Sequence, residues 1–148
     1  ARLMREDGDS AVRHWGALGL LMRGESAVRE HAAALQAALS DDSVLVRVTA
    51  AQSLGQHGDP SRLSAALAAL GALAAPQDHD VLTAMSALAA IEALGEKARP
   101  LHDEIAQMSP DGPSPDGRYN SYVPRLIANI VPGAAAKAPK GGKGKKKK

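Results

Sequence analysis

Three stretches of this sequence repeat one pattern: DSAVRHWGALGLLMRG at Asp9–Gly24, SVLVRVTAAQSLGQHG at Ser43–Gly58 and DVLTAMSALAAIEALG at Asp80–Gly95. Each begins with an acid or a serine, has Val or Thr three residues later, and continues through an apolar segment to a glycine. The terminal glycines are 34 and then 37 residues apart, which is the period of a repeat built from two helices. Such stacks usually offer a binding surface, so the pattern indicates an architecture more strongly than a chemistry.

The three copies align on Val12, Val46 and Thr83, and this alignment predicts where each helix begins and ends. The Asp or Ser three residues earlier is a good N-cap, because its side chain accepts from free N–H groups of the first turn. Four residues after the aligned position the copies carry Gly or Ala, and eight residues after it Leu or Ile. This spacing places small and branched side chains on one helical face. The closing glycines suit the left-handed backbone that follows many helices.

The segments between the copies carry regularly spaced apolar residues, which predicts a second helix in each repeat. Asp59-Pro60 is a predicted N-cap and first-turn pair, and Pro124 fits only the first turn of the last helix. Two Ser-Pro-Asp-Gly sequences, at 109–112 and 114–117, indicate a loop at 109–119. The predicted helices lie near 9–23, 25–39, 43–57, 59–74, 79–94, 97–108 and 121–131.

These elements predict an all-α fold, a right-handed α-solenoid of about three and a half helix pairs that occupies residues 1–132. Trp15, Tyr119 and Tyr122 are the only aromatic residues, so close helix contacts have to fill the core. We interpret Trp15 as a packing residue, because it lies within a helix at the repeat spacing. The predicted core residues are Val12, Trp15, Leu20, Leu35, Leu39, Val46, Leu54, Leu67, Leu70, Leu88, Ile91, Leu101, Ile105 and Ile127.

Charge divides the chain into an acidic body and a basic tail. Residues 1–133 contain 11 Lys or Arg against 16 Asp or Glu, whereas residues 134–148 add seven lysines and no acid. The tail has little to bury, so we predict that residues 133–148 are disordered. The lack of cysteine excludes disulfides, and no apolar run is long enough to span a membrane. Because the chain begins at Ala1 without a signal-like stretch, we interpret it as a fragment or a processed piece.

The pattern resembles that of HEAT repeats, in which a Val-Arg pair follows an acidic turn. Here the pairs are Val12-Arg13 and Val46-Arg47, and the resemblance spans about 125 residues. In HEAT repeats, Asp and Arg side chains form a ladder of buried polar contacts between successive repeats. The third copy has Ala84 in place of the arginine, which predicts an interruption of the ladder there. The predicted ladder residues are Asp9, Arg13, Asp42 and Arg47.

Four shorter phrases resemble the HEAT-like segment that follows the catalytic domain in a group of bacterial sulfatases. They are SAVRHWGALGLL at Ser10–Leu21, SVLVRVTAAQSL at Ser43–Leu54, ALAAIEALGEKARP at Ala87–Pro100 and YVPR at Tyr122–Arg125. Sulfatases of this family hydrolyse sulfate esters with a formylglycine made within a Cys/Ser-x-Pro-x-Arg motif, and they hold a divalent metal with Asp and Asn. This sequence contains no such motif. The resemblance therefore implies the accessory C-terminal part of a periplasmic or secreted bacterial sulfatase, without its active site.

This resemblance and the shortage of catalytic groups predict a non-catalytic role. We expect the chain to pack on the catalytic domain of the same parent chain, or to position substrate for it. We expect no cofactor and no metal in this chain. The alternative is a stand-alone HEAT-repeat scaffold that binds a protein partner through the concave helix face.

Candidate catalytic groups are few and scattered along the chain. The five histidines form no His-Glu-x-x-His motif. Asp78–Asp80 (DHD) is the tightest polar cluster, and we interpret it as a turn in which Asp80 caps the next helix. We interpret His102–Glu104 (HDE) as a solvated helix face, because adjacent helical residues point in different directions.

The lysine tail has three interpretations that the sequence leaves open. It is a solvated extension without a partner, a nonspecific nucleic-acid arm, or a tether for sulfated polysaccharide or another polyanion. Nucleic acid is disfavoured, because the acidic body offers neither a second basic patch nor stacking aromatics. The tether fits the sulfatase resemblance. Its candidate residues are Lys137, Lys140, Lys143, Lys145, Lys146, Lys147 and Lys148.

Overall fold

The structure, a computed structural model, describes Met4 and residues 7–134. This part of the chain is all-helical and contains no strand, as the sequence predicts. Its α-helices are α1 Ser10–Arg23, α2 Glu25–Glu30, α3 Ala32–Ala38, α4 Val44–His57, α5 Pro60–Ala74, α6 Val81–Leu94, α7 His102–Gln107 and α8 Tyr122–Ile130. Two 3-10 helices, Gly95–Leu101 and Gly117–Ser121, precede α7 and α8 respectively.

The helices of the three copies, α1, α4 and α6, begin at the predicted caps. Asp9 accepts a hydrogen bond from the backbone nitrogen of Ala11 (2.8 Å), and Asp80 accepts one from that of Thr83 (2.9 Å). Ser43 stands at the equivalent position before α4, but its side chain makes no cap hydrogen bond. The predicted starts are therefore correct, although the side chain acts as a cap in only two of the three copies.

Glycine ends these helices through a positive φ at two of the three predicted sites. Gly24 has φ 76° and Gly95 has φ 56°, a region that favours glycine. The prediction is wrong at Gly58, where φ is −73° and ψ is 174°. Asp59-Pro60 opens α5 directly afterwards, and a residue before proline favours extended backbone. The chain therefore crosses to the next helix through extended residues.

Two predicted partner helices are interrupted. The segment 25–39 is divided into α2 and α3 at His31, whose φ of −110° and ψ of 19° lie outside the helical region. The segment 97–108 consists of the first 3-10 helix followed by α7. Pro100 explains this change, because it lacks an N–H group and disfavours helical backbone at the residue before it.

The segment that follows α7 crosses to the start of α6. The backbone nitrogen of Val81 donates to the carbonyl oxygen of Pro113 (2.8 Å). The loop is shorter than the predicted 109–119, since the second 3-10 helix begins at Gly117. Pro124 lies in the first turn of α8, as predicted.

Packing brings the helices of the copies side by side. Helix α1 contacts α4, α4 contacts α6 and α6 contacts α8, while α2, α3 and α5 also pack against α4. The small residues at the aligned position of the second and third copies, Ala50 and Ala87, are fully buried. A methyl group on Gly16 would lie 3.1 Å from the backbone nitrogen of Met4. The aligned small positions therefore allow close approach of neighbouring segments.

Most predicted core residues are buried, but Trp15 is not. Trp15 is 68% exposed, and Val12 and Leu39 are half-buried. The equivalent of Trp15 in the second copy, Thr49, is buried, with Oγ1 3.2 Å from Nδ1 of His14 on α1. Helix α1 thus packs against Thr49, whereas none of the helices α2 to α8 covers Trp15. The predicted core residues that are buried are Leu20, Leu35, Val46, Leu54, Leu67, Leu70, Leu88, Ile91, Leu101, Ile105 and Ile127.

Of the segment 133–148 that the sequence predicts to be disordered, residues 135–148, with all seven lysines, lie outside the described part of the chain. The last described residue, Ala134, packs against the core, and its nitrogen donates to the carbonyl oxygen of Val131 (3.0 Å). Within the described residues, no helix combines the length and the apolar character that crossing a membrane requires.

Candidate functional site

An ion pair joins α1 to the turn that precedes α4. Arg13 Nε lies 2.8 Å from Asp41 Oδ2, and Arg13 Nη2 lies 2.9 Å from Asp41 Oδ1. Arg13 Nη1 also donates to the carbonyl oxygens of Asp7 (3.0 Å) and Gly8 (3.3 Å). Asp41 Oδ1 accepts a further bond from the nitrogen of Ser43 (2.8 Å). The two charged side chains are 15% and 11% exposed, so the pair is largely withdrawn from water.

This pair corrects the predicted ladder. The acid that binds Arg13 is Asp41, whereas the predicted Asp42 is exposed and makes no ion pair or hydrogen bond with the side chains of residues 7–134. Asp9 is committed to the cap of α1. The repeat pattern cannot separate two adjacent aspartates, because the conformation of the turn decides which carboxylate faces the arginine.

Arg47 occupies the ladder position in the second copy but forms no such pair. Its Nε is buried without an acceptor, and no ion pair within residues 7–134 includes it. The third copy has Ala84 at this position and therefore has no charged side chain there. The second and third copies are joined through Lys97, whose Nζ donates to the carbonyl oxygens of Gly55 (3.2 Å) and Gln56 (2.7 Å). A lysine at this helix end also complements the helix dipole of α4.

The ion pair shifts the acidity of its members in opposite directions. The side-chain hydrogen bonds from Arg13 hold the pKa of Asp41 below its ordinary value, against the opposing effect of desolvation. The same bonds raise the pKa of Arg13. A carboxyl group with a lowered folded-state pKa stabilises the fold above its unfolded pKa of about 3.9. That stabilisation is lost as the pH falls through the folded-state pKa.

Asp41→Asn is expected to lower the free energy of unfolding at pH 7 by about 1–2 kcal/mol, because it removes a charge-assisted bidentate contact. The difference from the unsubstituted chain should shrink as the pH falls below about 4 and towards the lowered pKa at which Asp41 becomes protonated in the folded chain. Urea unfolding followed by circular dichroism at pH 7 and pH 3 measures both effects. Asp42→Asn is the matched control and should change stability by less than about 0.5 kcal/mol. Equal effects of the two substitutions would contradict the assignment of the pair.

Four large apolar side chains are exposed on the helices of the copies. Met22 lies at the end of α1, and we call the other three the apolar row. Trp15 on α1 is 68% exposed, Leu45 on α4 is 51% exposed and Leu82 on α6 is 43% exposed. Leu45 and Leu82 occupy the same repeat position, one residue before the aligned Val or Thr. The first copy carries an alanine at that position, and Trp15 follows on the same helical face one turn later.

An open groove of about 380 Å³ lies between the starts of α4 and α6. Leu45, Leu82 and Val44 line its apolar side, and Asp80 and Thr83 line its polar edge. Asp80 is committed to its cap, with Oδ1 2.9 Å from the nitrogen of Thr83 and Oδ2 2.9 Å from its Oγ1. The backbone hydrogen bond from Thr83 is the main cause of the lowered pKa of Asp80. The groove therefore offers apolar contact beside a carboxylate that already has partners.

The polar clusters have the structural roles that the sequence predicts. Nε2 of His79 lies 2.9 Å from the carbonyl oxygen of Ala72, and Asp80 caps α6. Asp103 and Glu104 are exposed on α7. Within the described residues, no group of three or more His, Asp or Glu side chains is placed to hold a metal ion.

The apolar row is absent from the sequence predictions, although a signal for it exists. Leu45 and Leu82 recur at one repeat position that lies outside the predicted core line. A recurring leucine outside the core line is a sign of a second apolar surface. That sign is weak, because single exposed apolar residues are common on protein surfaces.

A scan against protein-family models, a search of curated proteins and a search of solved structures each found no match to this chain.

Proposed function

We propose that this chain is a non-catalytic helical-repeat domain that packs against another protein domain through the apolar row. The exposure of Trp15, Leu45 and Leu82 on three successive helices of the copies is the observation that carries the proposal. Large apolar patches on a protein surface are typical of interaction sites. Trp is also enriched among the residues that dominate the energy of protein interfaces.

The proposed architecture is a right-handed stack of HEAT-like helix pairs. The serial contacts of α1, α4, α6 and α8 support it, and so do the polar links between copies. The first link is the Arg13–Asp41 pair, and the second is the bond from Lys97 to the end of α4. A third link runs from Gln56 Nε2 to the carbonyl oxygen of Ala93 (2.9 Å). In a stack of this kind each repeat contacts only its neighbours.

The proposed partner is the catalytic domain of a sulfatase that belongs to the same parent chain. The four phrases that resemble the C-terminal region of bacterial sulfatases support this choice. If the catalytic domain packed on the apolar row, three large apolar side chains would be removed from water. In this arrangement the repeat domain extends or positions the substrate region, and the sulfate-ester chemistry belongs to the catalytic domain.

A stand-alone scaffold is the second candidate, and the groove between α4 and α6 favours it. The groove is open and mainly apolar, and it lies between equivalent positions of two copies. Repeat proteins commonly bind extended partners across equivalent positions of successive repeats. The partner would then be a separate protein.

Trp15→Ser is expected to change the free energy of unfolding of this chain by less than about 0.5 kcal/mol, because the side chain packs against little of the fold. In the parent protein, Trp15→Ser combined with Leu45→Ser should weaken docking between the domains by about tenfold or more. Limited proteolysis between the domains and hydrolysis of 4-nitrophenyl sulfate measure the loss. Ala68→Ser is the control, since Ala68 is exposed on α5, which is not one of the helices that carry the row. Unchanged docking in the double variant would contradict the proposal.

The coding sequence upstream of Ala1 separates the two candidates. A Cys/Ser-x-Pro-x-Arg motif in the same reading frame would support the sulfatase domain. Further helical repeats without a catalytic domain would support the scaffold. Sulfate-ester hydrolysis by this chain alone would refute the accessory role.

A further inference from the structure

A cleft of about 260 Å³ opens beside the point where the described chain ends. Ile91 and Ile130 lie at its base, and both are buried. Glu92 and Glu96 stand at its rim. Pro132 lines the cleft as well, and from there the chain runs towards its C-terminus. The cleft therefore combines an apolar base with an acidic rim.

Both rim carboxylates are accessible to a cation. Glu92 and Glu96 are exposed, and no ion pair within residues 7–134 includes either of them. Asn129 Nδ2 donates to Glu92 Oε1 (3.0 Å), which orients this carboxylate and leaves its second oxygen available. His102, which is half-buried, is the other titratable residue of the lining. The electrostatic surroundings also favour a cation, since residues 7–134 contain 9 Lys or Arg against 15 Asp or Glu, a net charge of −6.

Residues 135–148 carry a charge opposite to that of the acidic rim, and only a short stretch of chain joins them to the cleft. Residues 135–148 contain seven lysines and no acid. Lys137 follows Pro132 by five residues, so their separation is at most about 18 Å even in a fully extended chain. Ala134 still packs against the core and is hydrogen-bonded to Val131, which keeps the start of the tail beside the cleft. A tether this short corresponds to an effective concentration in the millimolar range.

We propose that residues 135–148 dock into this cleft of the same molecule. Lys137 and Lys140 pair with Glu92 and Glu96, and the small apolar residues between the two lysines lie against the base of the cleft. The contact is internal, so it depends neither on the sulfatase assignment nor on the apolar row. It limits the number of lysines available to an external polyanion, because the same ammonium groups cannot bind both.

A spin label on the tail tests this contact in the full chain. Gly142→Cys introduces a single cysteine, since the sequence has none, and a nitroxide is attached to it. We expect the amide signals of Glu92 and Glu96 to lose about half of their intensity or more, because the tether keeps the tail at high local concentration. The signals should recover when the label is reduced. They should also recover in about 1 M NaCl, where the Debye length is only about 3 Å.

Substitutions that remove the charges of the rim or of the tail test which residues form the contact. Glu92→Gln with Glu96→Gln should restore the cleft signals of the labelled chain, and Lys→Gln at all seven tail lysines should do the same. Asp103→Asn with Glu104→Gln is the matched control, because it removes the same charge from an exposed face that does not line the cleft. This control should retain the broadening. Absence of broadening in the unsubstituted tail, or equal recovery in the control, would overturn the proposal.

Discussion

Leu54→Ala is expected to lower the free energy of unfolding by about 2–4 kcal/mol, a large loss for a single substitution. Leu54 is 1% exposed and lies in the middle of the chain on α4. This helix contacts α1, α3, α5 and α6, so a cavity there weakens contacts to several elements at once. The surrounding helices can relax little, because the adjacent Gly55 already lies against Leu94. The cost therefore includes both the lost burial of the side chain and the remaining cavity.

Urea unfolding followed by circular dichroism at 222 nm measures this loss. Leu45→Ala is the control on the same helix, because it makes a chemically identical change at a residue that is 51% exposed. We expect it to cost less than about 1 kcal/mol. A Leu54→Ala chain as stable as the Leu45→Ala chain would show that the repeat register, on which the core assignment depends, is wrong.

Gly112→Ala is expected to cost about 1–3 kcal/mol, whereas the same substitution at Gly117 should be close to neutral. The two glycines end identical Ser-Pro-Asp-Gly sequences, but their surroundings differ. A methyl group on Gly112 would overlap the carbonyl oxygen of Pro76 and lie 2.8 Å from its Cβ. A methyl group on Gly117 would meet no atom within 4 Å. Pro76 is buried, and its backbone has little room to move.

The Gly112 substitution should also loosen the loop that reaches the start of α6. The carbonyl oxygen of Pro113 in this loop accepts a hydrogen bond from the nitrogen of Val81, so displacement of the loop would expose a helix N-terminus. Hydrogen exchange at Val81 should therefore accelerate in Gly112→Ala and stay unchanged in Gly117→Ala. Equal stability and equal exchange in both variants would contradict the close approach of Gly112 to Pro76.

The helical content and most of the core could be predicted from local patterns. Caps, apolar spacing and proline act within one or two turns of chain, so they are visible in a single sequence. Pro100 shows the limit of this reasoning. It lies inside a segment with a helical stripe, yet its missing N–H group changes that segment to a 3-10 helix before α7. Periodicity alone could not reveal that local competition.

The acidic partner of Arg13 and the exposure of Trp15 could not be predicted in this way. Asp41 and Asp42 are adjacent and chemically identical, and only the turn after α3 directs Asp41 to the guanidinium. Trp15 has the spacing of a core residue, but none of the helices α2 to α8 covers that side of α1. The apolar row consequently becomes visible only when the neighbours of each helix are known.

The helical segments, their small and branched positions and the division into acidic body and lysine tail follow from the amino-acid sequence alone. Each of these properties depends on residues that are close in the chain or on simple composition. Three other properties arise only in the folded chain: which aspartate binds Arg13, which of two glycines in identical tetrapeptides is in close contact, and where apolar side chains stay exposed. These properties depend on residues brought together from distant parts of the chain, and identical local sequences therefore acquire different surroundings.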